Sequence, residues 1–417
     1  MIKPSNLIYL LIFFNILTFF FGFIYSEEHG ASILDANLHT YPAIDGLKNN
    51  FIQNIITYGK YGENSYPLHH IIYAYTNLFE IGSIFFRIQS CILSLIVIIF
   101  FYLILNLRFK IKIEEALFLS SILLLSPYFR TSAYWGMTEN TGLIFLIISI
   151  FFFLKLLNSD DKKFNQLLLI CLFSALALYA RLQYVFLCIF FFFYLSYKLN
   201  LNRVVFVTIN YIIYSIPGLI LIYIWGGLLD EQYSGEFNYF ISANSIPRTL
   251  LVIFSLIGFY SLPFILILND RMLNVLRKNI INFFISLLIC SSVYFFFDVN
   301  ILALDETNSF PYGQGFVSHI LYKFTSIKES YLIFCALGLL VTYKIFNFTI
   351  RNKFLIIALL SIFSLRVHFF SEYLDPLLFI LFFTLLDFDK KKMLLTLKNI
   401  LLLEFFFLGI LIGAILI

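Results

Sequence analysis

Ile84–Leu107 reads IFFRIQSCILSLIVIIFFYLILNL, hydrocarbon from end to end with a single charge, Arg87, near its start. A stretch of this length and composition crosses the roughly 30 Å of a bilayer's hydrocarbon as one helix. Runs of the same kind recur at 7–25, 115–129, 138–157, 166–180, 182–198, 203–225, 248–269, 280–298, 330–348, 354–370, 372–387 and 398–417. Boundaries around 166–198 and 354–387 are soft, and either pair reads equally as two half-spans meeting at a polar elbow. The expected fold is all-α: a polytopic membrane bundle of about 11–13 transmembrane helices. One membrane domain is expected over 1–417, with short interfacial helices in a first external loop at 26–83.

Bulk composition agrees. Hydrophobic residues make up 61% of the chain and charged ones 12%, with a mean hydropathy of +0.92, whereas a soluble domain is nearer half apolar and a quarter charged. No soluble basic face is visible, which excludes nucleic acid as a partner. Leu7–Tyr25 reads as a first span rather than a secretory signal, because its apolar run is long and no small-residue cleavage site precedes Glu27 convincingly. All five cysteines lie inside apolar runs, with neither a disulfide framework nor metal-type spacing. No metal and no cofactor are expected.

Basic residues set the orientation. With the N-terminus inside, most Lys and Arg fall on cytoplasmic segments, among them Arg108, Lys110 and Lys112, then Lys155, Lys198 and Arg203, and finally Lys390–Lys392. The acids lean the other way, so the polar stretch Glu27–Ser65 is expected on the non-cytosolic face, where the long irregular loops also gather.

Polar residues within this apolar chain need a reason. Asp35 lies just past the first span in Asp35-Ala-Asn-Leu-His39, and on an α-helix positions 35 and 39 share a face. A carboxylate at the membrane surface can act as general base toward a sugar hydroxyl; the plainer reading is a solvated loop acid. Tyr66-Pro67-Leu-His69-His70 opens a short apolar helix with Pro at its start. The two imidazoles point about 100° apart on a helix, a poor metal pair; one of them facing a sugar or phosphate is credible, and the plainer reading is an interfacial histidine. Ser126-Pro127-Tyr-Phe-Arg130 and the nearby Glu139 bring a cation and an acid to the junction of spans three and four. Arg181 and Gln183 interrupt an apolar run, where an ionisable group is a functional candidate unless it snorkels at a helix end. Arg366, His368 and Glu372 repeat the combination near the C-terminus, and Tyr312-Gly-Gln-Gly315 is a candidate lid. Acid plus cation suits attack by a hydroxyl on a phosphate-activated group, with the cations stabilising the departing phosphate.

In their order and spacing these pieces resemble the GT-C superfamily of membrane glycosyltransferases: Asp35 in the first external loop, Tyr66-Pro67-Leu68-His69-His70, Phe86-Arg87-Ile-Gln89, Ser126-Pro127 with Glu139, and Ala-Leu-Tyr-Ala-Arg181. A weaker similarity is to the dolichyl-phosphate-glucose-dependent α-1,2-glucosyltransferases, through Asp35–His39, Tyr179-Ala-Arg181-Leu-Gln183 and Ser371-Glu372-Tyr373-Leu-Asp375-Pro376. The second acid of that family's first loop is Ala36 here, its Gln is displaced by one, and no Arg separates Glu372 from Tyr373. The resemblance implies a polyprenyl-phosphate-linked sugar donor and a glycan or glycolipid acceptor. It implies Asp35 as base, with His39, His69, His70, Arg130, Glu139, Arg181, Gln183, Arg366, His368 and Glu372 around the substrates. The active face would be non-cytosolic, in the cytoplasmic membrane of a prokaryote or the endoplasmic reticulum. Two rival readings are a flippase of lipid-linked saccharides, which leaves the polar first loop without a purpose, and an O-antigen-type polymerase, whose long functional loop normally comes late.

Overall fold

Backbone polar groups inside hydrocarbon have no water to bond, so a chain this apolar must satisfy them within helices. The computed structural model describes residues 4–29, 32–62, 65–159, 163–228, 245–267, 280–297, 325, 327–347, 349–365, 373–387 and 396–416, and among them every regular element is helical. The chain forms two compact units, Ser5–Phe237 and one within Asn238–Ile417.

In the N-terminal unit, α1 (Pro4–Ile24) leads into short helices: α2 (Ser32–Asp35), a π-turn (Ala36–Thr40), α3 (Tyr41–Asn49), α4 (Phe51–Ile56), a 3-10 turn (Tyr58–Tyr61) and α5 (Leu68–Thr76). Then follow α6 (Ile84–Phe109), α7 (Ile113–Ser121), α8 (Pro127–Trp135), α9 (Thr138–Leu157), α10 (Phe164–Ala180), α11 (Val185–Lys198) and α12 (Leu201–Trp225). The C-terminal unit contributes α13 (Ser245–Ile267), α14 (Ile280–Phe296), α15 (Leu332–Phe346), α16 (Ile350–Phe363), α17 (Leu377–Thr384) and α18 (Leu397–Leu416).

Among the described residues six helices are long and apolar enough to cross a membrane: Ser5–Ile24, Ile84–Phe109, Thr138–Leu157, Leu201–Trp225, Ile246–Ile265 and Leu397–Ile415. Phe164–Ala180, Leu182–Lys198 and Ile280–Phe296 are apolar but shorter. This differs from the larger number expected, and local chemistry explains part of the difference. The run at 115–129 is not one helix. It passes through a 3-10 turn (Ile122–Leu125) to Ser126, whose hydroxyl accepts the Phe129 amide at 3.2 Å and starts α8 afresh with Pro127 in its first turn. At 166–198 the helix stops at Arg181, whose extended backbone separates α10 from a 3-10 turn (Leu182–Tyr184) ahead of α11.

The surface of α12 completes the case for a membrane protein. Ile212, Ile213, Leu219, Ile220 and Tyr223 are all exposed. Facing water, such a stripe forgoes about 25 cal/mol for every Å² of apolar area; facing lipid it forgoes nothing.

In the C-terminal unit, α13 and α15 meet backbone to backbone. A Cβ at Gly258 would collide with the Phe334 carbonyl, and one at Gly338 with the Phe254 carbonyl. Cys335, whose thiol donates to the Leu251 carbonyl at 3.1 Å, lies on the same seam. Lipid tails supply no hydrophobic drive between helices, so such seams depend on small residues that let backbones close up. Gly338→Leu is expected to wedge α13 from α15 and destabilise the unit by roughly 1–3 kcal/mol, read as a lower unfolding temperature in detergent.

Candidate functional site

Polar side chains gather at one end of the N-terminal unit, where α1, α8, α10 and α12 finish and α6 and α9 begin. The other end carries Arg108, Lys110, Lys155, Lys198 and Arg203 at the opposite termini of those helices and of α11.

The polar end is held together by Arg130. Its guanidinium is buried and grips Glu27 through two bonds, one from Nε to Oε1 at 2.8 Å and one from Nη2 to Oε2. It also donates to the carbonyls of Thr18 (2.8 Å) and Leu124 (3.0 Å). Side chains of α8 thus bond to the last turns of α1: besides Arg130, the Tyr134 hydroxyl donates to the Phe19 carbonyl at 2.6 Å. Trp135 Nε1 donates to the Glu27 carbonyl at 3.1 Å. Arg87, at the start of α6, adds bonds to the carbonyls of Phe23 and Tyr134 and lies 4.0 Å from the Trp135 ring. Gly22 is obligatory here, because a Cβ would overlap Glu27, Arg130 and the Tyr134 hydroxyl at once. Burial pushes the Glu27 carboxyl upward, but hydrogen bonds from His29 (2.8 Å) and Arg130 outweigh it and leave the pKa below the ordinary 4.5.

A second pair lies at the α8–α9 junction. Glu139 sits in the first turn of α9, where the helix dipole favours an acid, and forms an ion pair with Arg181 at the α10 break. The Ser132 hydroxyl is 3.4 Å from Glu139 Oε2 and accepts the Asn140 amide at 3.1 Å. Two residues beyond Glu139, the Thr141 hydroxyl bonds His69 Nδ1 at 2.8 Å. The next ring along, His70, has its Nδ1 2.6 Å from the Tyr58 hydroxyl. Both imidazoles are fully buried, edge to face at 4.9 Å. Below them Tyr73 bonds Ser90 at 3.1 Å, and burial pushes its phenol up to about 12. Gln183 is buried in the turn after Arg181.

The first loop packs against this junction. Thr40 Oγ1 is 3.8 Å from the Met137 sulfur, and Tyr41 donates to the Trp135 carbonyl at 3.1 Å. Asp35 is half-buried and immediately precedes the π-turn, in which the Tyr41 amide reaches back to the Ala36 carbonyl. π-turns recur at functional positions. His39, also half-buried, gives its Nδ1 to the Tyr61 carbonyl (2.6 Å). Asp35, His39, His69, His70, Arg130, Glu139, Arg181 and Gln183 thus all belong to one end of one unit. Arg366, His368, Glu372 and Tyr312–Gly315 lie outside the described residues. Among those described, no cluster of three or more His, Cys, Asp or Glu is placed to hold a metal ion.

Two features escaped sequence reasoning. One is the Glu27 grip on Arg130, whose partners are a hundred residues apart. The other is an apolar groove of about 550 Å³ between α10, α11 and α12. From Thr208 to Ile222, both on its α12 wall, it runs about 20 Å. Tyr66, Tyr179 and Leu182 line it, and Leu182 is the neighbour of Arg181.

No family model, curated protein or solved structure matches this chain.

Arg130→Ala would strand the Glu27 carboxylate in a buried site, and removing one partner of such a pair costs about 3–5 kcal/mol. A drop in thermal stability of that order is expected, with Arg130→Lys intermediate because Lys cannot make the two-pronged contact. Since Glu27 titrates lower in the fold than in the unfolded chain, its stabilisation is fully present above pH 4.5 and fades as the pH falls through the folded value. Glu27→Gln should therefore flatten the acid limb of an unfolding-versus-pH curve in detergent.

Proposed function

We propose that the chain is a multi-pass membrane glycosyltransferase of GT-C type, moving a sugar from a polyprenyl-phosphate carrier to a glycan or glycolipid acceptor on the non-cytosolic face. The observation that carries this reading is the juxtaposition at Arg181 and Leu182. An apolar groove long enough for a hydrocarbon chain ends where a buried arginine, held by Glu139, begins a polar cluster. An amphiphile with an anionic head and a long tail matches both parts.

In this reading the groove takes the lipid chain and Arg181, oriented by Glu139, faces the phosphate. His69, His70 and Gln183 shape the pocket around the head, and Asp35 and His39 come from the loop helices packed on the same junction. The acceptor oxygen forms a bond to the anomeric carbon while the bond from that carbon to the phosphate oxygen breaks. The phosphate departs with the electron pair, and Asp35 takes the acceptor's proton. Arg130 is assigned to holding α1 against α8, since its bonds go to Glu27 and two carbonyls. The basic residues at the far end of the unit support a cytosolic placement for that end, hence a non-cytosolic site in a prokaryotic cytoplasmic membrane or the endoplasmic reticulum.

Purified protein in vesicles, supplied with polyprenyl-phosphate sugars and glycolipid acceptors, should transfer the sugar. Asp35→Asn should lower transfer by about 10²-fold or more, the usual share of a general base, at unchanged membrane abundance. Full transfer by Asp35→Asn would overturn the assignment of the base. Translocation of the lipid-linked sugar with no transfer by the parent protein would replace the enzyme with a flippase. Arg181→Lys is expected to raise KM for the donor more than it lowers kcat, as the directed bond to Glu139 is lost while the charge stays.

A further inference from the structure

Helix α12 carries a proline in its interior. Pro217 has no amide hydrogen, so the Ile213 carbonyl loses its intrahelical donor. One residue on, the Tyr179 hydroxyl from α10 donates to the Tyr214 carbonyl at 2.6 Å and accepts the Gly218 amide at 3.0 Å. Those are the two groups that an α-helix pairs with each other. A side chain therefore bridges these two groups beside the proline, and Pro with a side chain at the ladder is a recognised origin of helix kinks. Gly218 makes room for it, since a Cβ there would lie 3.0 Å from both the Tyr179 ring and its hydroxyl.

What lies beyond the hinge gives it a purpose. Gly218, Leu219 and Ile222 form the groove wall nearest the polar end. The segment finishes at Trp225, whose Nε1 donates to the Ile55 carbonyl at 2.8 Å and whose ring stacks between Tyr58 (5.9 Å) and Tyr66 (5.8 Å). Tyr58 in turn bonds His70, and Tyr66 packs edge-on against Tyr179 at 5.5 Å. The outer face of the same segment is exposed through Ile220, Tyr223 and Ile224.

We infer that the Gly218–Trp225 end of α12 is a hinged wall of the groove, latched by the Tyr179 hydroxyl, which swings aside to admit a hydrocarbon chain from the surrounding bilayer. Tyr179 is then a positioning residue: it acts through α12, and its release also frees Trp225 from Tyr58 and Tyr66, linking chain admission to the setting of His70. As a route for a lipid-linked donor the inference rests on the function proposed above; the hinge itself does not.

The chain has two tryptophans, so a Trp135→Phe background reports Trp225 alone. Reconstituted in phosphatidylcholine vesicles with brominated acyl chains, this parent should show weak Trp225 quenching. Tyr179→Phe keeps the ring on Tyr66 but removes the latch, and the quenched fraction should rise about fivefold, the factor for one net hydrogen bond. Adding Pro217→Ala restores an amide donor and a continuous ladder, and quenching should return to the parent level. Quenching unchanged in Tyr179→Phe, or not restored in the double variant, overturns the inference. If Tyr179→Phe does not fold, Gly218→Ala displaces the same hydroxyl; a rise in quenching then supports the latch and its absence overturns it. Fluorescence needs no sugar transfer, so a negative transfer assay refutes the enzyme and leaves the hinge standing.

Discussion

The grip of Arg130 on Glu27 is the constraint from which the polar end takes its form. A buried ion pair adds little net stability over an apolar contact, but breaking it leaves a charge that the interior cannot solvate. It therefore specifies one arrangement. The end of α1 must meet α8, Gly22 must be bare, and the chain must leave the membrane at Glu27 in a fixed direction. That direction lays the π-turn and α3 against Met137 and Trp135, and the same α8–α9 junction presents Glu139 to Arg181. The loop helices are thus oriented by electrostatics at their entrance and held together by the apolar cluster of Ala43, Ile44, Leu47, Tyr58, Tyr73 and Ala74.

Much of the fold was legible because a membrane chain writes its helices in plain hydropathy. Ile84–Phe109 and Thr138–Leu157 stand where the apolar runs put them, and the polar elbow at Arg181 was visible as an ionisable residue in a greasy stretch. What could not be read was pairing. Arg87, Arg130 and Arg181 look alike in sequence, each a cation at the edge of a span, yet Arg130 meets Glu27 across a hundred residues while Arg181 meets Glu139. Only tertiary structure separates a clasp from a candidate site. The run at 115–129 misled for a different reason: hydropathy averages over Ser126-Pro127, whereas the backbone obeys the proline. Pro217 is the converse, a proline that its helix tolerates because Tyr179 repairs the neighbouring bonds.

The two halves of the proposed substrate place opposite demands on the protein. A lipid chain asks for area without direction, which α10–α12 supply through aliphatic and aromatic walls. A sugar phosphate asks for a few oriented donors in a dry place, which the α9 N-terminus, the α10 break and the buried histidines provide. Trp225 and Tyr66 stand between these regions, part of the aromatic cluster around Tyr58 and Tyr73.

The π-turn at Ala36–Thr40 makes the position of Asp35 adjustable in evolution. A π-turn is an α-helix with one residue added, so removing a single residue from this segment would restore α-helical register and rotate one flank relative to the other by about 100°. With α3 pinned through Tyr41 to Trp135, the rotation would fall on Asp35. One codon gained or lost would thus re-aim the acid while every buried contact of the α1–α8 clasp kept its sequence.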